Sequence, residues 1–423
     1  MKSTGPGHRV VMTDLALALS RNGYLAFPQA WERSADPEGD AMECRLLGRR
    51  ALVVRGGHGA RTFYDETLVQ RRGAVPPLLA NLIFGSGAVH GLDGKEHRAR
   101  KSLFVSAITP ERVAELGEEV ARELQEVVRT WPRRAPVRLF DELVRVYGAC
   151  ALRWAGVEVT PHEAATIARR LAWIVDGFGF SPGAYARGWA SRLWANRWAR
   201  GVVRDAREGR RHAVPGTMLD ILAHGEGSTL PLDTAGVELL NVVRPTVAVA
   251  WLGTFAAVEL ARHPEYGPVL AECGARDDRW RFADEVRRLT PFVPALAGGV
   301  RRPTSWQGHR VEPGDLLILD VPGTNRHRSW RDPDRFRPER FLDHEHGAFE
   351  LVPQGGGDVR LGHRCPGEPV TLTLLDRTLH QLARTGWSVS TAAPDLRRIP
   401  TLPGGGLLVT GAEPEPWHES VAH

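Results

Sequence analysis

A lone cysteine and a lone arginine stand where they could do chemistry. Cys365 closes a glycine-rich run, PQGGGDVRLGHRCPGE over residues 353–368, directly before an apolar segment of helical period. A helix N-terminus favours a thiolate, and a thiolate is a nucleophile or a metal ligand. The glycines let backbone approach something flat and bulky. Arg244 sits in NVVRPTVA (residues 241–248), inside the most apolar stretch of the chain. An arginine cannot give up its proton at working pH, but it presents a planar fork that matches a carboxylate. Pro245 removes a backbone donor beside it and is expected to open the helix at that turn. Two further groups are weaker alone. Glu285 and Arg288 lie three apart and share a helix face. GAVHGLDGKEHRARK (residues 87–101) gathers His90, His97, Arg100 and Lys101.

The elements that must position these residues read mainly as helix. Thr109-Pro110 is a capped start with proline at the first helical position. Val113, Leu116, Val120, Leu124 and Val127 then form an apolar stripe. Helical patterns also cover residues 139–157, 161–176, 190–212, 218–224 and 369–382. The longest runs from about 233 to 263, ended by Pro264. In the arginine-rich stretch 187–211, Trp189, Trp194, Trp198 and Val202 fall on one face, with Arg192, Arg200 and Arg207 expected away from it. Such a pattern fits a half-buried surface helix. Strands are expected at 51–55, in two runs within 300–321 that turn at Glu312–Asp315, and as a pair within 398–410 around Gly404–Gly406. The expected fold class is mainly α with a small β lobe, as one domain over residues 1–423.

Composition narrows the function. Of 423 residues, 42% are hydrophobic and 25% charged, ordinary values for a globular chain. Four dispersed cysteines form neither a disulfide framework nor a Cys-x-x-Cys zinc site. The net charge is +5, but the arginines are spread along the chain among 50 acids, unlike the basic face of a nucleic-acid binder. The apolar part of 242–261 is interrupted by Arg244, Pro245 and Glu259, so a buried helix is expected there and no integral membrane segment. The N-terminal stretch lacks the apolar core of a secretory signal, so a soluble, cytoplasmic, reduced protein is expected.

Taken in order and spacing, Glu285-x-x-Arg288, the meander WRDPDRFRPERF (residues 330–341) and the Cys365 loop resemble the cytochrome P-450 superfamily. The resemblance spans about residues 60–410. It implies the cytochrome P-450 fold, heme b with Cys365 as axial ligand of its iron, and a structural lock of Glu285, Arg288 and Arg337 or Arg340. Two departures narrow it. The superfamily loop carries Phe seven residues before the cysteine and Gly four before it, where this chain has Asp358 and Leu361. The acid–alcohol pair of the long helix is replaced by Arg244 and Pro245. NVVRP and the 353–368 loop instead resemble the bacterial fatty-acid peroxygenases, olefin-forming decarboxylases among them.

That branch implies hydrogen peroxide as co-substrate, a fatty acid as substrate and no required redox partner. Arg244 would hold the substrate carboxylate, which supplies the acid–base group the protein lacks. Oxidation at the α or β carbon would give hydroxy acids, or terminal alkenes by decarboxylation. His90 would line the distal pocket and act as a proton donor titrating near neutrality. His97, Arg100, Lys101, His363 and, more weakly, Arg71 would meet the heme propionates. Leu78, Leu79, Phe84, Phe292 and residues near 178–180 would line the tail channel. A redox-partner-dependent monooxygenase is the alternative, and a heme-based sensor or fatty-acid carrier the non-catalytic one.

Overall fold

The computed structural model describes residues 14–131, 136–179, 181–343, 346–390 and 393–411. Its centre is the helix Leu232–Arg262, 31 residues long, or about 46 Å at 1.5 Å per residue. This helix is long and apolar enough to cross a membrane, yet its most apolar part is almost entirely buried inside the protein. Helices Leu139–Trp154, Pro182–Arg207 and Glu368–Ala383 pack around it. The approach is close where side chains are smallest. A Cβ on Gly236 would come within 2.8 Å of the Arg200 backbone nitrogen. Between helices Leu139–Trp154 and Pro161–Asp176, one on Gly148 would come within 2.2 Å of the Ala168 Cβ. The helix passes through Pro245 without a break, contrary to the expected opening. Only one backbone donor is lost there, and tight packing on all sides holds the rest of the ladder.

Local signals fix the surrounding helices. Thr109 caps Pro110–Thr130 by accepting from the Arg112 N–H. Thr160 and Glu163 form a reciprocal capping box at Pro161–Asp176. The 182–207 helix starts eight residues earlier than its periodicity suggests, at Pro182 after Ser181.

A five-stranded sheet forms a second layer, in the order 41–46, 49–54, 316–320, 295–300, 69–70. Only the pairing of 49–54 with 316–320 is parallel. Apolar side chains fill both faces, which gives the sheet two small cores of its own. The expected strand pair within 398–410 does not form. Leu408–Gly411 pairs instead with Trp387–Ser390 and with Val137–Arg138. Positive φ angles at Gly404, Gly405, Gly406 and Leu407 coil the chain there rather than reverse it as a hairpin.

The expectation for the 182–207 helix fails at Arg192 and in part at Arg207, whose guanidinium donates to the carbonyls of Leu222, Gly227 and Leu230. Trp189, Trp194 and Trp198 are partly buried against the helical core, as expected. Arg192, however, is fully buried. It donates to the carbonyls of Leu82 (2.7 Å) and Ile83, closing the end of helix Pro77–Ile83.

Candidate active site

The loop before helix Glu368–Ala383 presents Cys365 to the interior. The Cys365 N–H donates to the Gln354 carbonyl at 3.0 Å. The Gln354 side-chain amide donates to Thr371 Oγ1 at 3.0 Å and lies 3.8 Å from the cysteine Sγ. Gly355 has φ +94°, and a Cβ there would stand 2.7 Å from Tyr64 Oη, so this turn accepts only glycine. Burial pushes the Cys365 thiol up, and the Gly367 N–H offsets this only in part. Helix position alone therefore does not deliver a thiolate here. A bound metal ion would, because a coordinating thiol loses its proton outright. Behind the loop, Glu368 receives Arg364 Nε at 2.7 Å and is also paired with the buried Arg287.

Beside the loop lies a group of buried donors with too few acceptors. The rings of His97 and His363 stack at 3.8 Å. Arg71 Nη1, His97 Nδ1 and His363 Nε2 are buried without a hydrogen-bond partner. Burial first, and then a neighbouring cation, Lys101 for His97 and Arg71 for His363, pushes His97 down to about 4 and His363 to about 2; burial also takes Lys101 down to about 8. Donor atoms of Glu66, His97 and His363 lie within 4.8 Å of one another. A divalent cation is nevertheless disfavoured, because Arg98 pairs with Glu66 at 3.3 Å and both Arg71 and Lys101 add positive charge nearby. The surplus suits an anion. The two carboxylates of a heme would take up the orphaned donors, while Cys365 would meet its iron, so the residues present fit that group.

Two of the expected propionate contacts have other partners. Lys101 Nζ donates to the carbonyls of Gly362 and Arg364 (2.5 Å), tying helix Gly94–Ala107 to the cysteine loop. Arg100 points the other way and pairs with Glu238 of the long helix at 2.8 Å. On a helix, neighbouring residues 100 and 101 face about 100° apart, so one turn cannot aim both at a single ligand.

Across the site stands Arg244, only 6% exposed. Burial lowers its pKa to about 10, so the guanidinium stays charged at neutral pH. It forms no ion pair among the described residues. Nη2 reaches Asn241 Oδ1 at 3.4 Å, and Nε is buried without a partner. Asn241 Nδ2 in turn donates to Glu238 at 3.0 Å. Pro245 follows Arg244 with its ring partly exposed, and Thr246 Oγ1 donates back to the Val242 carbonyl at 2.9 Å.

His90 lies in the short turn Val89–Gly91, its ring stacked at 4.1 Å on Phe84. The guanidinium carbon of Arg244 lies 6.0 Å from the Phe84 centroid. Although water can reach the His90 ring, desolvation and the neighbouring cations, Arg244 foremost, push its pKa down to about 3. The expected titration near neutrality is thus corrected. The imidazole is neutral and keeps one N–H to donate.

The lock is fully paired. Arg288 Nε and Nη2 each meet Glu285 at 2.8 Å, and its Nη1 meets the carbonyls of Asn325 and Pro333. Of the two meander candidates, Arg340 gives its side chain to Glu285 at 3.1 Å, whereas Arg337 gives only its backbone N–H.

Of the expected tail contacts, Phe84 and Phe292 pack against the helical core and Leu79 is partly buried. Leu78 is 68% exposed and so does not line an enclosed channel. Phe178 packs on the core, and Phe180 lies outside the described residues. Glu238 and Asn241 were not singled out from sequence. Their signal was present, as polar residues at 238, 241 and 244 that mark one stripe of an otherwise apolar helix.

Comparison with known proteins agrees with this geometry. Residues 281–382 match the family described as Cytochrome P450. The fold superposes on cytochrome P450SP alpha (CYP152B1) in complex with (R)-ibuprophen with a TM-score of 0.87, 31% identity and coverage of 96% of this chain and 98% of that one. A variant of cytochrome P450 OleT in complex with arachidonic acid gives 0.88 and 30%, over 96% and 98%. Cytochrome P450EX alpha (CYP152N1) with myristic acid gives 0.86 and 30%, over 95% and 98%. A glycine-rich cysteine loop, a fully paired Glu–Arg–Arg lock and likeness over nearly the whole length lead to one conclusion: the chain belongs to the cytochrome P450 family of heme-thiolate oxidoreductases.

Proposed function

We propose that the enzyme uses hydrogen peroxide to oxidise fatty acids at the α or β carbon, releasing hydroxy acids or, with loss of carbon dioxide, terminal alkenes. One observation carries this reading: Arg244 is buried and charged, and no carboxylate among the described residues neutralises it. The three relatives named above were solved with carboxylic acids or are described by the acid they bind, which supports the same substrate class.

When bound, heme supplies the iron centre at which peroxide is activated and a C–H bond oxidised. Cys365 would hold that iron, and Arg71, His97 and His363 would receive its propionates. Arg244 binds the substrate carboxylate through its fork and fixes the first two carbons of the chain. The bound carboxylate then serves as proton carrier between the two peroxide oxygens. No acid or alcohol of the long helix stands where Arg244 and Pro245 are, so the ligand fills that role. Neutral His90, which shares Phe84 as a neighbour with Arg244, offers one N–H. Hydroxylation consumes one peroxide and releases one water. Decarboxylation consumes one peroxide and releases carbon dioxide and two waters, which balances the two hydrogens lost from the chain.

The test is turnover of saturated fatty acids by the holoenzyme with hydrogen peroxide alone, with products resolved by mass spectrometry. A non-carboxylate substrate should react only when a short carboxylic acid is added. Turnover that needs a ferredoxin and reductase, or that ignores the added acid, would overturn the proposal.

A further inference from the structure

Resting on the anchoring role of Arg244, we propose that Glu238 is the positioning residue that sets its guanidinium for the substrate carboxylate. Glu238 is fully buried on the long helix, six residues before Arg244. Its carboxylate has three partners. Oε1 accepts from Arg100 Nη1 at 2.8 Å and from the Val89 N–H at 2.9 Å, while Oε2 accepts from Asn241 Nδ2 at 3.0 Å. Asn241 completes the line, with Oδ1 3.4 Å from Arg244 Nη2.

The order of groups matters. A side-chain amide has a donor end and an acceptor end. A carboxylate beside Asn241 accepts only, so it fixes the donor end toward itself and turns the oxygen toward Arg244. The flipped amide would set carbonyl against carboxylate and NH₂ against guanidinium, leaving four buried groups unsatisfied. Glu238 thus fixes Asn241, and Asn241 fixes one edge of Arg244. The contact to Arg244 is long and neutral, so it orients the guanidinium without cancelling its charge. The negative charge of Glu238 is matched by Arg100 on the far side. The same Glu238 oxygen also holds the N–H of Val89, next to His90. The anchor and the turn that carries His90 therefore share one reference point.

The experiment uses the holoenzyme and two probes of equal chain length, myristic acid and tetradecan-1-ol, with affinities read from the spin-state change in the heme absorption spectrum. In the double variant Arg100→Met/Glu238→Met both charges leave together, so no buried charge is orphaned. Myristic acid affinity should fall about tenfold or more, as expected for losing a hydrogen-bonded orientation of a charged group, with tetradecan-1-ol affinity unchanged. Asn241→Asp should lower acid affinity at least as far, because a carboxylate then competes for Arg244. Glu238→Gln, nearly isosteric, is read by the same acid-to-alcohol ratio should the double variant fold poorly. An unchanged ratio in these variants overturns the positioning role, as does an equal loss for both probes. Arg244→Ala is the control. Undiminished acid affinity there would instead overturn the anchoring role itself.

Discussion

Arg288 and Arg244 are both buried arginines on helices that face the same interior, and they are wired in opposite ways. Arg288 has two bonds to Glu285 and further bonds to backbone carbonyls, so its charge and donors are satisfied within the protein. Arg244 has one long bond to a neutral amide and a buried Nε with no partner. A saturated buried arginine holds structure together. An unsaturated one costs stability by itself and gains it back only when a ligand arrives. Pairing, more than burial, separates a structural arginine from a binding one.

That contrast is open to direct attack. Glu285→Ala should have the largest effect. It leaves Arg288 and Arg340 without their counter-charge, a loss of about 3–5 kcal/mol for a broken buried pair. Denaturant unfolding should show that loss together with poor heme incorporation; near wild-type stability would contradict the structural role of the lock. Arg244→Ala should do the reverse, leaving stability equal or raised while peroxide-driven fatty-acid turnover falls by about 10²-fold or more, the range for removing one partner of a buried charged contact. Arg244→Lys should recover little, since a point charge does not replace the fork. If Arg244→Ala destabilises as much as Glu285→Ala, the two arginines are not of different kinds.

The smallest effect is expected at His90, where His90→Gln should lower the ratio of alkene to hydroxy acid without impairing heme binding. Because desolvation of the ring and the charge of Arg244 hold this histidine down to about 3, it is neutral at any working pH. The product ratio of the wild-type enzyme should then stay flat between about pH 6 and 8. The sign also bears on stability. A histidine with a depressed folded pKa favours the native state above about pH 6.5, and that share is lost as pH falls toward 3. A sigmoidal change in product ratio centred near pH 6.5 that vanishes in His90→Gln would show a histidine that still titrates.

Much of the site was legible in sequence because its signals are local. The cysteine loop, Glu285 with Arg288, and Arg244 beside Pro245 each fit within one loop or one helical turn. Partners far apart in sequence left weaker traces. Nothing near Arg100 says that its counter-ion lies 138 residues later, so it was grouped with the neighbours it resembles. Arg192 was placed on the solvent face by periodicity, yet the open end of helix Pro77–Ile83 drew it inward. Arg340 and Arg337 differ only in which one turns its guanidinium toward Glu285, a choice the meander's path makes. The strands near the C-terminus were misread because glycine clusters mark coils as readily as hairpins.

The long central helix also shapes how the chain comes to be folded. It is covered partly by segments that precede it and partly by helix Glu368–Ala383, which follows after roughly a hundred further residues. At synthesis rates of about 5–20 residues per second, that gap lasts about 5–20 s. During this interval one side of a 31-residue apolar helix has no native neighbour. The nascent chain is therefore most exposed to aggregation, and most in need of chaperone cover, before its last third emerges from the ribosome.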